Sequence, residues 1–301
     1  MLDELGVVSN SWAGVLDKGI RFEDLAGQFA REGFSHLEIR DADYLRRSNL
    51  GGLFDRIEGA MDSYSDAEWK TICEDFQLGR EANGLIKPDD AALADDIRSL
   101  LGALAGLRVS YAISHPWLTA PDNEPAAERR MIKVIKLTYL LCSFPARLRL
   151  VAPFWVNGSR SHIATKNLKR YRKLLPEYSL TYAVENGLGA SAVRVLEWAM
   201  AGGFVMAYDE ANIYGSDGAA LHDPEAFWRV ATMESLTSIH LKQKDQRGFL
   251  PILSEGFVDF GAMFKRLRGK GYRGDWLLEL SPVGDPLNNA LQSWAFLSKL
   301  I

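Results

Sequence analysis

Short runs of apolar and β-branched residues alternate along the chain with longer amphipathic stretches, a pattern typical of a parallel sheet built from strand–helix units. The predicted strands are Leu5–Ser9, His36–Arg40, Arg108–Ser114, Leu148–Ala152, Leu180–Val184, Phe204–Tyr208, Leu236–Leu241 and Trp276–Leu280. The predicted helices are Phe22–Glu32, Asp89–Leu104, Glu124–Leu141, Asn167–Leu174, Ala190–Met200, Pro224–Thr232, Phe260–Lys270 and Leu287–Leu300. Eight strands, each followed by a helix, predict an α/β fold of the (β/α)₈ TIM-barrel type.

The interval between the second and third predicted strands is about twice as long as one strand–helix unit. The excess lies near residues 43–87 and includes a further predicted helix, Asp62–Gln77, with a capping signal around Ser65–Glu68. We expect an insertion here, placed either on the catalytic face or as a solvent-facing helix pair. No Pro- or Ser-rich linker divides the sequence, which predicts a single domain over residues 1–301.

Composition places the chain among globular proteins, because 47% of its 301 residues are apolar and 25% are charged. No apolar run approaches the roughly 20 residues of a membrane helix. The acidic start of the sequence lacks the basic and apolar regions of a signal peptide. Cys73 and Cys142 are too few for a disulfide framework. We therefore expect a cytoplasmic protein without a membrane partner.

The net charge of −4 argues against a nucleic-acid partner, since such proteins neutralise phosphates with a basic surplus. One basic run, Lys166–Lys173, is more typical of the solvated face of a barrel helix than of a phosphate site.

Four ligand-type residues lie at the carboxyl ends of the last four predicted strands: Glu185, Asp209, His240 and Glu279. The carboxyl ends of barrel strands meet at one mouth, so these side chains should lie close together. Each interrupts an apolar run, where an unpaired charge would cost several kcal/mol. A divalent cation bound by carboxylate oxygens and one imidazole would offset that cost.

Taken singly, each of these residues is also compatible with a purely structural role. His240 alone could be a satisfied core histidine, and Glu279 a buried ion-pair partner of Lys242. The coincidence on four successive strands is what favours a metal site. Lys242 follows His240 by two positions and therefore faces the same side of an extended strand. It is expected either to contact a substrate oxygen or anion, or to pair with Glu279 or Asp209.

Several short motifs indicate a family resemblance. They are Val184-Glu185-Asn186, Asp209-x-x-Asn212, His240-Leu241-Lys242, Gly256–Phe260, Gly271-Tyr272-x-Gly274 and Glu279, preceded by Leu5–Ser9 and Gly33-Phe34-x-x-Leu37-Glu38. Together they resemble the xylose isomerase-like barrel superfamily, in the branch of sugar phosphate isomerases/epimerases and family 2 apurinic endonucleases. The resemblance spans nearly the whole chain except residues 43–87, and it is specific for the family and its metal site but not for a substrate.

The resemblance implies that Glu185, Asp209, His240 and Glu279 bind one divalent metal ion. Mn²⁺ is expected, while Co²⁺, Mg²⁺ and Zn²⁺ also suit this ligand set. Family isomerases use the ion as a Lewis acid that stabilises an enediolate. By resemblance, Glu185 and Glu279 are the catalytic residues that move the proton. The expected substrate is a keto-sugar or a related polyhydroxy carbonyl compound.

Two positions depart from the epimerase pattern. Asn212 stands where relatives commonly carry a histidine, and the arginine expected after the strand-seven histidine has its nearest candidate in Arg247. Both remain candidate substrate-binding residues, together with Lys242. The departures leave open a lyase alternative, because superfamily dehydratases and enzymes of 3-keto sugars and their glycosides use the same metal chemistry.

His115, which follows strand three, is a further candidate for binding substrate or exchanging a proton. It is equally compatible with a loop cap packed on Trp117. Trp12, Trp117 and Trp155 follow strands one, three and four, where their rings would either floor a sugar pocket or plug the top of the barrel.

Two further functions on this fold are disfavoured. A DNA-repair endonuclease of this family needs three zinc ions and several additional histidines, yet the chain has five histidines and the run Lys242–Leu253 has none. A non-catalytic regulatory barrel would be expected to have lost a metal ligand. The sequence thus predicts a metal-dependent isomerase or epimerase with a small carbohydrate substrate, and it leaves open whether the chain forms a homo-oligomer.

Overall fold

The computed structural model describes residues 5–80, 91–114, 125–142, 146–152 and 161–301. In these residues a closed parallel barrel is formed by β1 Leu5–Val8, β2 His36–Asp41, β3 Arg108–Ser114, β4 Arg147–Ala152, β5 Thr181–Asn186, β6 Val205–Asp209, β7 Leu236–Leu241 and β8 Asp275–Leu278. Each strand pairs with the next in chain order, and β8 pairs with β1 to close the barrel. The predicted barrel is therefore confirmed.

Helices surround the barrel in the described residues: α1 Ala13–Leu16, α2 Phe22–Arg31, α3 Asp43–Arg47, α4 Asn49–Ala60, α5 Asp66–Gln77, α6 Ala91–Leu104, α7 Pro125–Leu141, α8 Ser161–Tyr171, α9 Ala192–Gly202, α10 Pro224–Val230, α11 Phe260–Gly269 and α12 Pro286–Leu297. Helix α8 begins at Ser161, earlier than the predicted start at Asn167. Ala164 and Leu168, four residues apart and both buried, lie on the face of this longer helix that packs inward. The predicted starts Asp89 and Glu124 lie outside the described residues. None of the helices in the described ranges is both long and apolar enough to cross a lipid bilayer.

The capping signal in the insertion is confirmed, but it starts the helix later than predicted. The Ser65 hydroxyl accepts a hydrogen bond from the Glu68 backbone N–H at 3.3 Å, and the Glu68 carboxylate accepts one from the Ser65 backbone N–H at 2.7 Å. This reciprocal capping box satisfies the free amides at the helix start. Helix α5 consequently begins at Asp66 and not at Asp62.

The insertion also contains α3 and α4, which the sequence pattern did not predict. Gly51 and Gly52 lower the intrinsic helix propensity of α4, whose stability comes from packing instead. Helices α4 and α5 both pack against α6 and α7 on the outside of the barrel. The described part of the insertion contributes no residue to the lining of the cavity at the barrel mouth.

The barrel interior is unusually polar, whereas branched apolar side chains fill most barrels of this kind. In its lower layer, Arg147 pairs with Asp275, and His36 Nδ1 lies 3.3 Å from Asp275 Oδ2. Burial lowers the pKa of His36. Burial would raise the pKa of Asp275, but His36 and Arg147 outweigh it and lower that pKa. The lower layer of the barrel therefore holds a buried ion pair between Arg147 and Asp275.

Candidate metal centre

The structure brings the four predicted ligands together at the carboxyl end of the barrel. Glu185 lies in β5, Asp209 ends β6, His240 lies in β7 and Glu279 directly follows β8. Each offers one ligand atom, and these atoms all lie within 4.8 Å of one another. The four residues are 3%, 0%, 1% and 1% exposed in that order, so the cluster is shielded from bulk water.

Hydrogen bonds between β5 and β6 fix the orientation of Asp209. Asn186 Nδ2 donates to the Asp209 carbonyl at 2.7 Å, and the Asp209 N–H donates to Asn186 Oδ1 at 2.9 Å. The side chain of Asn186 thereby extends the pairing of the two strands. Asp209 Oδ1 accepts from the Ala211 N–H at 2.9 Å, at the start of the following 3₁₀ turn. Its Oδ2 atom accepts from the Lys242 ammonium at 3.0 Å.

The donor set fits a divalent cation. Three carboxylates and one imidazole suit hard to borderline metals such as Mn²⁺, Mg²⁺ or Zn²⁺. His240 Nδ1 lies 2.8 Å from Glu279 Oε2 and 3.7 Å from Glu185 Oε1, so this nitrogen faces the cluster. Its Nε2 is buried without a hydrogen-bond partner among the described residues. Buried carboxylates repel one another, and a bound cation would relieve that repulsion.

Neighbouring cations keep the two glutamates ionised. Burial would raise the pKa of Glu185, but the Arg149 guanidinium outweighs it and lowers the pKa to about 2. Burial would likewise raise the pKa of Glu279, but Lys242 and a hydrogen bond to His240 lower it well below its usual value. Both carboxylates are therefore ionised near neutral pH, although their lowered pKa makes each a weaker base than a carboxylate whose pKa lies near neutrality.

The pKa values of Asp209 and His240 are raised, whereas those of the two glutamates are lowered. Burial raises the pKa of Asp209 against the opposing effect of Lys242. For His240, burial and Arg149 lower the pKa, but the nearby glutamates outweigh them and raise it to about 9. Without a metal ion, His240 therefore carries a proton at neutral pH, and that proton must leave when a cation binds.

Lys242 adopts the paired arrangement that the sequence analysis offered as one of its two roles. Its Nζ atom lies 3.0 Å from Asp209 Oδ2 and 3.2 Å from Glu279 Oε1. The same ammonium lies 4.4 Å from the centre of the Phe249 ring. Arg40 Nη1 donates to Glu279 Oε1 at 2.9 Å. Two cations thus hold the oxygen of Glu279 that lies farther from His240.

A cavity of about 290 Å³ opens above the ligands, a size near the lower end of small-molecule sites. Its polar wall includes Asn10, Arg40, Asn212 and Lys242. Its apolar wall includes Leu188, Phe249, Leu280 and Pro282. Glu185 and Glu279 both line this cavity, so a bound molecule can reach both carboxylates.

Of the other two predicted substrate-binding residues, one lines the cavity and one lies away from it. Asn212 lines the cavity, and its Nδ2 donates to the Asn186 carbonyl at 2.9 Å and to Glu185 Oε1 at 3.4 Å. Arg247 does not reach the cavity, because it sits at the turn of a hairpin where its side chain is 86% exposed and pairs with Asp245. The assignment of Arg247 to substrate binding is therefore corrected.

The predicted aromatic and histidine contacts are mostly untested. His115, Trp117 and Trp155 lie outside the described residues. Trp12 is completely buried, and its ring packs against the rings of Phe22 and Phe29 at centroid distances of 5.1 Å each. Trp12 therefore fills the apolar core and does not floor the cavity.

The sequence analysis did not predict that Asn10, Arg40 and Arg149 lie at the site. It named Glu38 only as part of a motif and gave it no role there. The signal that could have found three of them was an alternation of polar residues, at His36, Glu38 and Arg40 in β2 and at Arg147 and Arg149 in β4. Alternate positions of a strand share a face, and in this barrel that face points inward.

Comparison with solved structures agrees with this architecture. The closed parallel barrel has the fold of the xylose isomerase-like TIM barrels. A xylose isomerase domain containing protein from Salmonella typhimurium is 14% identical, with 100% of this chain and 98% of that chain covered at a TM-score of 0.61. D-psicose 3-epimerase from Clostridium cellulolyticum is 12% identical, with 99% and 98% covered at a TM-score of 0.63.

A third solved structure, 3-keto-D-glucoside 4-epimerase from E. coli, is 12% identical, with 98% of this chain and 99% of that chain covered at a TM-score of 0.59. No protein-family model matches the chain, and no curated protein matches it in sequence. The likeness therefore concerns the fold, and the chemistry must be argued from the site.

Proposed function

We propose that the chain is a divalent-metal-dependent isomerase or epimerase of a keto-sugar or a related polyhydroxy carbonyl compound. The observation that carries the proposal is the convergence of Glu185, Asp209, His240 and Glu279, whose ligand atoms lie within 4.8 Å of one another beneath an open cavity. Epimerases acting on D-psicose and on a 3-keto-D-glucoside share the fold, which supports this substrate class.

The proposed cofactor is one divalent ion, with Mn²⁺ as the first candidate. When bound, such an ion supplies Lewis acidity toward a substrate carbonyl. Glu185, Asp209, His240 and Glu279 would hold it, and their burial would keep competing water away from the reacting groups. The free, buried state of Cys73 and Cys142 accords with a reducing cytoplasmic location, which we also propose.

The residues of the chain supply the proton transfer. Glu185 and Glu279 are ionised and border the cavity, so either can accept a proton from the carbon next to a carbonyl. Arg40 and Lys242 hold Glu279 Oε1 and restrict its rotation. The Nδ2 of Asn212 already donates twice, so its Oδ1 can accept from a substrate hydroxyl, but the amide cannot exchange a proton as a histidine would.

Deuterium exchange at carbon tests the reaction type. Incubation of the Mn²⁺-loaded protein with candidate ketoses in D₂O is expected to place deuterium at the carbon next to the carbonyl, because the abstracted proton exchanges with solvent. Proton NMR after removal of the metal would show loss of that proton signal. A panel of ketoses and keto-glycosides that shows neither exchange nor turnover would contradict the proposal.

The second candidate is a lyase on the same site. Asn212 leaves it open, because this residue departs from the histidine that the resemblance to epimerases would lead one to expect. The same NMR experiment separates the two reactions. Elimination removes an oxygen substituent from the carbon chain and yields new olefinic or deoxy signals. Isomerisation and epimerisation leave an oxygen on every carbon that carried one.

Metal binding should depend on pH through His240. Its pKa of about 9 is raised above the usual value, so the proton competes with the cation over the range below that pH. The affinity for Mn²⁺ is therefore expected to rise with pH up to about 9. Calorimetric titration in buffers of different ionisation enthalpy should show proton release at pH 7. Binding without proton release would show that His240 is already neutral.

A further inference from the structure

One acidic and one basic side chain lie beneath the ligand cluster and do not belong to it. Glu38 in β2 and Arg149 in β4 are each 0% exposed in the barrel interior. Arg149 Nη2 lies 2.7 Å from Glu38 Oε1, so the charges pair. Taking such a pair out of water costs several kcal/mol per ion, and apolar residues of similar volume are often at least as stable. Stability alone therefore does not account for the pair.

Arg149 also reaches a metal ligand. Its other terminal nitrogen, Nη1, is hydrogen-bonded to Glu185 Oε2. That contact occupies one carboxylate oxygen and leaves Oε1 on the side of His240 and Asn212. A planar guanidinium holds two carboxylates in a fixed geometry, which a flexible ammonium cannot do. Arg149 thereby fixes which oxygen of Glu185 faces the cluster.

Glu38 reaches across the barrel to a second ligand. Its Oε1 lies 3.5 Å from His240 Nε2, on the ring edge opposite the nitrogen that faces Glu279. Its Oε2 lies 3.5 Å from the Ser110 hydroxyl, which donates to it. When Nδ1 of a neutral imidazole binds a cation, the ring proton must sit on Nε2. Glu38 Oε1 faces that nitrogen at 3.5 Å, a contact that is not yet a hydrogen bond in this structure.

We infer that Glu38 and Arg149 form one positioning unit, which selects the His240 tautomer and the Glu185 oxygen that a cation would contact. The inference rests on the metal site of the proposed function. Metal-bound histidines usually donate their other N–H to a carboxylate or carbonyl, and loss of that partner weakens binding. Here one buried ion pair orients two ligands at once.

The test is the affinity of the full-length protein for Mn²⁺. Electron paramagnetic resonance measures the concentration of unbound Mn²⁺ during a titration, and the affinity follows from it. Glu38→Gln is expected to weaken binding by about 10–100-fold. The matched control is Asp275→Asn, which breaks the buried pair with Arg147 in the lower layer of the same barrel and touches no ligand. It should lower Tm while leaving the affinity for Mn²⁺ unchanged.

A second variant keeps the inference testable if Glu38→Gln does not fold. Arg149→Lys retains the charge but cannot bridge two carboxylates, and it should weaken Mn²⁺ binding to a similar extent. If the pair acts as one unit, the double variant should lose little more than either single variant. In the Zn²⁺-loaded protein, histidine ¹⁵N NMR should show the proton of His240 on Nε2, with its signal shifted in Glu38→Gln.

Different experimental results would contradict the proposed metal site and the proposed positioning unit. A wild-type protein that binds no Mn²⁺ would overturn the metal site and the positioning unit with it. Tight Mn²⁺ binding that survives both Glu38→Gln and Arg149→Lys, or that falls equally in Asp275→Asn, would overturn the positioning unit alone.

Discussion

Replacement of His240 by alanine is expected to remove most of the bound divalent metal and, with it, turnover. Wild-type protein should contain about one ion per chain, as single sites of this ligand type do. The substitution deletes the imidazole nitrogen that lies 2.8 Å from Glu279 Oε2. It leaves carboxylates without their fourth partner, so affinity should fall by more than the roughly 10–100-fold that removing an orienting neighbour costs.

The measurement is elemental analysis of purified protein after dialysis against a weak chelator, followed by Mn²⁺ titration. His162→Ala is a matched control, because it makes the same substitution at an exposed histidine of α8. Glu185→Gln, which keeps the side-chain volume, should also lose most of the metal. Unchanged metal content in both His240→Ala and Glu185→Gln would rule out the assignment of the site.

The ligand cluster was predictable from the sequence because a parallel barrel leaves little freedom at the carboxyl ends of its strands. Asp209 pairs with His240 in register, and His240 pairs with Leu277 two residues before Glu279. Once the strands are located, residues at their ends must meet at one mouth. The carboxylate or imidazole that ends each of these strands is then placed to within a side-chain length.

The buried cations beneath the cluster were harder to predict. Alternation of Arg147 and Arg149 with apolar residues is the usual sign of a strand with one face in water. Closure of the barrel turns that face inward, and only the three-dimensional structure shows that Asp275 and Glu38 supply the opposite charges from other strands. Long-range ion pairs of this kind leave no local mark in a sequence.

Arg247 illustrates the opposite error. It follows the strand-seven histidine closely in sequence, which made it a candidate for the cavity. The chain instead leaves the barrel in a short hairpin whose second strand begins at Gly248, with a φ of 128° in the region that favours glycine. Sequence distance from a strand end does not give the direction of a loop. The arginine that does line the cavity is Arg40, which β2 contributes and the sequence analysis did not name.

The interior ion pairs and the cavity together indicate how the site can stay rigid while it opens to solvent. Glu185 is held from below by Arg149, and Glu279 is held from above by Arg40 and Lys242. Each glutamate therefore keeps one oxygen fixed by a cation and turns the other toward His240. Catalytic carboxylates restrained in this way need little reorganisation during proton transfer.

Replacement of Glu279 by glutamine is expected to lower kcat by at least about 100-fold, the usual contribution of a positioned general base. The amide keeps the shape of the carboxylate but cannot accept the proton of the substrate carbon. Arg40 donates to Oε1 and the Lys242 ammonium lies 3.2 Å from it, so these cations should draw the amide oxygen toward themselves and turn the NH₂ group toward His240. Some metal affinity should be lost, and turnover must be compared at saturating Mn²⁺.

The control is Glu234→Gln, at an exposed glutamate before β7 at the opposite end of the barrel, which should keep wild-type kcat. A substrate deuterated at the carbon next to the carbonyl should slow the wild-type enzyme if proton abstraction limits turnover, whereas slow product release would hide that effect. The decisive comparison is therefore the variant at full metal occupancy. Near-normal turnover of Mn²⁺-loaded Glu279→Gln would mean that Glu279 is a ligand only, and the base would then be sought at Glu185 or His115, since the pKa of Lys242 is raised and keeps it protonated.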